Sequence, residues 1–245
     1  MMKSKSSRLI PAKKQVYLEG PKPRINELAF AWNVLREFIK GFRALHYIGP
    51  CITVFGSARF KENNEYYQAA TEFGKRIADM GFVTLTGGGP GIMEAANKGA
   101  FENGGKSVGI NIKLPFEQHE NPYLHKSVTI DYFFVRKTLL IKYSYAFIIM
   151  PGGWGTMDEL FETLTLIQTK SITNFPVVLF GKKYFQPLFD YIGMMGDEGT
   201  ISKEDLKHIL LTDDYDEAIA HISSYIKENY IVKPRKNFWW FLEKD

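Results

Sequence analysis

The stretch Ala146-Phe147-Ile148-Ile149-Met150-Pro151-Gly152-Gly153-Trp154-Gly155-Thr156-Met157-Asp158-Glu159 holds the plan of the fold in miniature. Its first five residues are apolar without alternation, the mark of a strand covered on both faces, as strands of parallel sheets are. A proline and three glycines then break the run. From Met157 to Lys170 the apolar residues Met157, Leu160, Phe161, Leu164 and Ile167 return at helical spacing. Strand, glycine-rich turn and helix in this order make half of a βαβ unit.

The same alternation extends outward in both directions. Short apolar runs at Ile52–Phe55, Phe82–Leu85, Ser107–Ile112, Val128–Ile130 and Pro176–Phe180 predict further strands. Helical spacing predicts helices over Tyr66–Met80, Ile92–Asn103, Val135–Tyr145, Phe185–Met194, Lys203–Leu210 and Tyr215–Asn229. The expected fold class is therefore α/β, a Rossmann-like, doubly wound parallel sheet. Residues 1–23 are polar, basic and rich in proline and glycine, and read as a loose arm. An amphipathic helix over about 24–47 precedes the first strand, with Leu28, Trp32, Leu35, Phe38, Ile39, Phe42 and Leu45 as its apolar positions. Such a stripe belongs to a core or a subunit interface. The sheet core should occupy about 50–182, and helices with an aromatic tail, Phe238-Trp239-Trp240-Phe241-Leu242, the remaining 183–245. One domain over 24–245 suffices for a chain of 245 residues.

Composition narrows the function classes. The formal charge of +4 is mild and gathers toward the termini, as solvated tails do, so no nucleic-acid partner is expected. A single cysteine, Cys51, leaves no disulfide framework and points to the cytoplasm. No stretch approaches a membrane span and the N-terminus has no apolar leader core, so no membrane partner is expected. The histidines, such as His119, His125 and His208, have no metal-ligand spacing.

Chemistry should gather where strands hand over to helices. In open α/β sheets ligands sit at the carboxyl ends of the strands, against helix N-termini whose free N–H groups favour anions. Two turns qualify. Thr86-Gly87-Gly88-Gly89-Pro90-Gly91 opens the helix that carries Glu94, and Pro151-Gly152-Gly153 opens the helix that carries Asp158 and Glu159. Neither is a dinucleotide fingerprint, which would need glycine at Ile92 or at Asp158. A P-loop ending Gly105-Lys106-Ser107 would need glycine at Ala100. No Gly-x-Ser-x-Gly elbow is present. Spacing alone also permits a plain reading of these residues. Thr156-x-x-Glu159 has the form of a capping box, which spacing by itself favours. Arg136 and Lys137 could be a solvated helix face, and Glu94 could complement its helix dipole.

Taken together, Pro151-Gly152-Gly153-x-Gly155-Thr156-x-x-Glu159, Arg136-Lys137 and Gly87-Gly88-Gly89-Pro90-Gly91-Ile92-Met93-Glu94 resemble the LONELY GUY (LOG) phosphoribohydrolases, long labelled lysine decarboxylase-like. The likeness spans roughly residues 50–182 and suggests a longer variant of the family. It implies hydrolysis of the N-glycosidic bond of a nucleoside 5′-monophosphate, either a cytokinin riboside monophosphate or AMP. It implies catalytic roles for Arg136 and Glu159, and substrate contacts for Gly87, Gly88, Gly89, Glu94, Lys137, Gly152, Gly153, Trp154, Gly155, Thr156 and Asp158. Glu117, after Leu114-Pro115, and Thr165 are further implied contacts. Many members carry two glutamates after the threonine where this chain has Asp158 and Glu159. A homodimer or larger homo-oligomer is implied too, and no metal or organic cofactor is required. Two alternatives stand beside this one: a non-catalytic nucleotide or cofactor carrier on the same fold, and an amino-acid decarboxylase, for which no pyridoxal-phosphate lysine is marked.

Overall fold

The computed structural model describes residues 22–114, 121–173 and 175–230. Glu117, His119 and the aromatic run Phe238–Leu242 lie outside them, as does nearly all of the basic arm. Seven strands form one parallel sheet: β1 (Cys51–Phe55), β2 (Val83–Thr86), β3 (Ser107–Ile112), β4 (Lys126–Ile130), β5 (Ser144–Ile149), β6 (Val177–Phe180) and β7 (Ile209–Thr212). Their order is β4-β3-β2-β1-β5-β6-β7. The chain winds outward from β1 to one edge, then returns to β5 on the other side of β1. This reversal leaves a crevice at the carboxyl ends of β1 and β5, the place where doubly wound sheets bind ligands.

Among the described residues, seven α-helices cover the sheet: α1 (Arg24–Leu45), α2 (Glu65–Asp79), α3 (Ile92–Glu102), α4 (Phe133–Tyr143), α5 (Trp154–Gln168), α6 (Lys182–Asp197) and α7 (Tyr215–Asn229). Alternation along each strand divides the core between the two faces. In β5, Phe147 and Ile149 face α1, α4, α5 and α6, whereas Ala146 and Ile148, with Met150 just after the strand, face α2, α3 and α7. Both halves are buried, which is why a central strand such as β5 is apolar on consecutive residues. No helix among the described residues is long and apolar enough to cross a membrane.

Three boundaries differ from expectation. Lys203–Leu210 is not a helix: a short 3₁₀ turn over Asp205–His208 leads into β7, which pairs along β6 from Val177↔Ile209 to Phe180↔Thr212. An apolar run as short as Ile209-Leu210-Leu211 has no decisive period, and pairing with β6 settles its state. β5 follows α4 with no loop, because the Ser144 hydroxyl donates to Leu140 O at 2.6 Å and lies 2.5 Å from the Thr53 hydroxyl. Finally, α5 begins at Trp154, before the first apolar residue of its periodic run.

α2 and α3 meet backbone to backbone. A Cβ at Gly99 would stand 1.8 Å from Thr71 O, and one at Gly74 would stand 2.1 Å from Ala96 O. Carbonyls cannot give way as flexible side chains can, so Gly99→Ala should separate the helices. We expect it to cost roughly 1–3 kcal/mol, as overpacking does, measured as a lower midpoint in urea. An unchanged midpoint would show that the helices slide freely.

Candidate active site

The site is built on the loops at the crevice. The turn after β1 ties the other two loops together: Ser57 N donates to Pro151 O at 3.0 Å, and Ser57 O accepts from Ile92 N at 3.0 Å. A Cβ on Gly56 would strike Ile92. This Gly56-Ser57 turn was not among the expected site residues, although a glycine directly after an apolar strand was the available signal.

The turn after β2 is held by a buried polar network. Gly88 N donates to the Thr86 hydroxyl at 2.9 Å, and that hydroxyl donates to Asn97 Oδ1 at 2.6 Å. Asn97 in turn donates to the Ser107 hydroxyl at 2.7 Å and accepts from Asn121 at 3.0 Å. Buried amides satisfied on both ends fix a loop rigidly. Gly88 adopts a positive φ of 70°, and its missing Cβ makes room for Asn111. With its amide turned, Asn111 donates to Gly87 O and Gly88 O, each at 3.1 Å. A Cβ on Gly87 would lie 2.0 Å from the Arg136 guanidinium, and one on Gly89 would meet Met93 at 2.8 Å. Gly87 and Gly88 therefore have reasons internal to the chain, whereas the flexible Met93 side chain could make way at Gly89.

Arg136, in the first turn of α4, is locked by the sheet. Its Nε donates to Ile110 O at 2.8 Å and its Nη2 to Gly87 O at 3.2 Å. Burial lowers its pKa and the neighbouring Glu159 raises it; a guanidinium stays charged at neutral pH. Glu159 itself is only 5% exposed, and its Oε2 has no hydrogen-bond partner. Burial pushes its carboxyl up to about 7, against the pull of Arg136 and Lys137 and with a further push from Glu162 and Asp158.

The capping-box reading of Thr156-x-x-Glu159 fails on register. The N-cap of α5 is Gly153, so Thr156 is already the third helical residue and Glu159 lies in the second turn. No side chain caps this helix. A helix start leaves its first N–H groups without intrahelical partners, here those ahead of Thr156, whose own N donates to Gly153 O at 3.0 Å. Gly153, Trp154 and Gly155 are exposed, Trp154 by 93%. A Cβ at Gly153 or Gly155 would meet nothing within 4 Å, whereas one on Gly152 would strike Thr156. Tyr184 donates to Gly152 O at 2.6 Å and fixes the turn from below. The fold itself leaves room for side chains at Gly153 and Gly155, and their absence bares a helix N-terminus suited to an anion.

The other expected contacts divide. Lys137 bridges Asp158, at 3.2 Å, and Glu162, at 2.7 Å. Burial lowers its pKa, but these partners outweigh that and raise it. Glu162 was missed; its place one helical turn beyond Asp158 and facing Lys137 was the signal. Glu94 is engaged elsewhere, accepting from the Tyr67 hydroxyl at 3.1 Å. Thr165 bonds back to Phe161 O at 2.8 Å and lines a separate apolar cavity with Leu164, Ile192, Met195 and Leu206.

Known proteins resemble this chain in sequence and in fold. Residues 93–222 match the family model described as possible lysine decarboxylase. The chain is 31% identical over 179 residues to a cytokinin riboside 5′-monophosphate phosphoribohydrolase of Rhodococcoides fascians, covering 71% of this chain and 89% of that one. It is 28% identical over 197 residues to the phosphoribohydrolase LOG1 of Arabidopsis thaliana, covering 79% and 91%. Among solved structures, the molybdenum cofactor carrier protein of Chlamydomonas reinhardtii is similar with a TM-score of 0.53 and 26% identity, over 73% of this chain and 99% of that one. With its seven-stranded parallel sheet, its Pro151-to-Glu159 turn and these relatives, the chain belongs to the LOG family.

Proposed function

We propose that this protein hydrolyses the N-glycosidic bond of a purine or cytokinin nucleoside 5′-monophosphate, such as AMP, to free base and ribose 5-phosphate. The single observation that carries the reading is Glu159: a buried carboxyl with an unpartnered oxygen and a pKa lifted to about 7, next to a fixed guanidinium. Structural carboxylates are ordinarily satisfied, and an unsatisfied one is costly to keep. A perturbed carboxyl of this kind in a cleft is what a catalytic group requires.

The chemistry follows from charge. Breaking the ribosyl C–N bond builds positive charge on the sugar and negative charge on the departing base. Ionised Glu159 stabilises the oxocarbenium-like centre and takes a proton from the attacking water, as carboxylates do in glycoside hydrolysis, while the departing base takes up a proton from solvent and Glu159 later gives one back. Arg136, whose plane is set by Ile110 O and Gly87 O, is too basic to act as an acid and supplies a fixed positive field. The 5′-phosphate sits at the bare N-terminus of α5, against Gly153, Gly155 and Thr156, so binding energy away from the bond positions the ribose. Lys137, held by Asp158 and Glu162, keeps a second cation beside the carboxylate.

The likeness to a cofactor carrier favours a second reading, in which the same cleft holds a phosphate-bearing ligand without turnover. An assay for ribose 5-phosphate from AMP separates the two, since a carrier returns AMP intact. In that assay Glu159→Gln should fold normally and lose about 10²- to 10⁴-fold in base release, the range of general acid–base catalysis. Turnover close to wild type would remove Glu159 from the chemistry.

Two measurements follow from the raised Glu159 carboxyl. With Glu159 acting as base, kcat/KM should rise with pH through about 7. Stability should move the other way. The folded carboxyl holds its proton more tightly than the unfolded one, so wild-type stability falls as pH rises from about 4.5 to about 7. Glu159→Gln escapes that loss, and its thermal midpoint should exceed that of wild type by more at pH 8 than at pH 5. A pH-independent difference would contradict the buried carboxylate.

Gly155 tests the phosphate seat. A Cβ there meets nothing within 4 Å, and leucine is the better helix former by roughly 0.5–1 kcal/mol. Gly155→Leu should therefore keep or raise the melting temperature while weakening AMP binding at least tenfold, read by calorimetry in the Glu159→Gln background. Unimpaired binding would move the phosphate elsewhere.

A further inference from the structure

α1 carries apolar stripes on two faces. The inner stripe, including Val34, Phe38, Ala44 and Leu45, packs on the core. Phe30 meets Tyr132 edge to face, Glu37 accepts from Asp131 N at 2.9 Å, and Gly41 abuts Leu139. The body thus holds α1 from one side. The outer stripe is Ile25, Leu28, Trp32, Leu35, Ile39 and Phe42, all between 38% and 71% exposed. At about 3.6 residues per turn these six fall within a sector about 100° wide that runs the length of the helix. It is a contiguous patch of the few-hundred-Å² size that marks a contact.

The charges beside this stripe are of one sign. The same helical count sets Arg24 on one border and Arg36 and Arg43 on the other. None of the three has an ion-pair partner among the described residues. Lys142 of α4 reaches the far end of the stripe, its Nζ 5.7 Å from the centre of the Phe42 ring. The two acids of α1 are engaged elsewhere: Glu37 turns to the body, and Glu27 accepts from Lys22 N at 3.0 Å. Ahead of the helix, residues 1–23 hold six lysines and arginines against a single acid, Glu19.

We propose that the outer stripe of α1 lies on the surface of an anionic membrane, its apolar side chains at the acyl boundary and its arginines among the lipid phosphates. The expectation of no membrane partner rested on the lack of a spanning stretch, and a helix that lies in the interface needs none. Three features select a lipid surface over another occupant. Aliphatic Ile25, Leu28, Leu35 and Ile39 offer a nucleic acid nothing to stack on or to bond, whereas acyl chains accept them. Trp32, in the exposed half of the helix, is the residue type that favours the headgroup boundary. Positive charge on both borders, continued by the basic segment ahead of Arg24, matches a surface of phosphates, and an apolar face joined to a polybasic segment gives the two signals that stable attachment takes. Access agrees with this. Every residue from Arg24 to Asn33 is exposed, so the body leaves the first turns of α1 free to meet a flat surface.

The inference is independent of the catalytic reading. It is tested on the full chain by co-sedimentation with vesicles of phosphatidylcholine alone and of phosphatidylcholine mixed equally with phosphatidylglycerol. Wild type should pellet with the anionic vesicles and stay in solution with the neutral ones, and added salt should weaken the binding. A variant carrying Leu28→Glu and Trp32→Glu, and another carrying Arg36→Glu and Arg43→Glu, should each bind about tenfold more weakly or worse at unchanged circular dichroism. In parallel, an environment-sensitive dye on Leu28→Cys should shift to the blue on anionic vesicles, whereas the same dye on Asn33→Cys, exposed on another side of the helix, should not. The native Cys51 is fully buried and takes no label. The dye pair decides the matter should a charged variant fail to fold. The proposal is overturned if wild type ignores anionic vesicles or binds neutral ones equally, if either double variant binds as wild type does, or if the two dyes respond alike. The first outcome would leave the stripe to a protein, and retained binding by the Leu28 and Trp32 variant would leave the vesicle contact to the basic segment.

Discussion

A carboxylate held away from water needs a cation that cannot leave, and in this fold the Arg136–Glu159 pair meets that condition. Arg136 is held by a strand carbonyl, Ile110 O, and a loop carbonyl, Gly87 O, so its charge stays where β3 and the turn after β2 put it. Much of the surrounding structure answers to that arrangement. Gly87 must lack a side chain because the guanidinium occupies the space. The Thr86–Asn97–Ser107 network holds the loop that presents the Gly87 carbonyl. The Ser57 turn then couples this loop to the one that launches α5 and Glu159. The pair is left under tension by burial, since Glu159 keeps a high proton affinity despite two neighbouring cations. A group balanced between charged and neutral forms at physiological pH suits proton transfer better than permanent structure.

The glycines around the crevice serve two different ends. Gly87, Gly88 and Gly152 are small because other parts of the chain press against them. Gly153 and Gly155 are small with open space above them. Replacing members of the first group disturbs the fold, whereas replacing Gly155 has no such cost. That contrast separates residues that shape the site from residues that leave room for a ligand, and the two groups look alike as letters in a sequence.

Much of the sheet was legible from the sequence. Runs such as Ala146–Met150 and Val177–Phe180 are apolar on both faces, and buried parallel strands require that. The edge strand β7 was not legible, because Ile209–Thr212 is too short to show a period and becomes a strand only beside β6. In the site, Arg136 and Glu159 were marked by motif. Asn97 and Asn111 were not, since their partners lie on other elements and no local spacing reveals them; Ser57 and Glu162 carried only weak local signals, which their partners on other elements make meaningful. Thr156 and Glu159 illustrate the limit best. Their spacing is that of a cap, and only the true start of α5 at Trp154 shows that they are not one.

The α1 stripes follow the same logic. That Leu28, Trp32, Leu35, Phe38, Ile39, Phe42 and Leu45 form a helix is a property of their spacing. Which of them face inward is a property of where α4 and β4 stand. The sequence by itself determined the alternation of strands and helices, the two glycine-rich turns and the residue types able to do chemistry, because these depend on short-range periodicity and backbone freedom. The tertiary structure alone decided the rest: which glycines remain open, that Glu159 is buried without a full set of partners, and that one face of α1 is left bare. Burial and charge proximity arise between elements distant along the chain, and no window of sequence contains them.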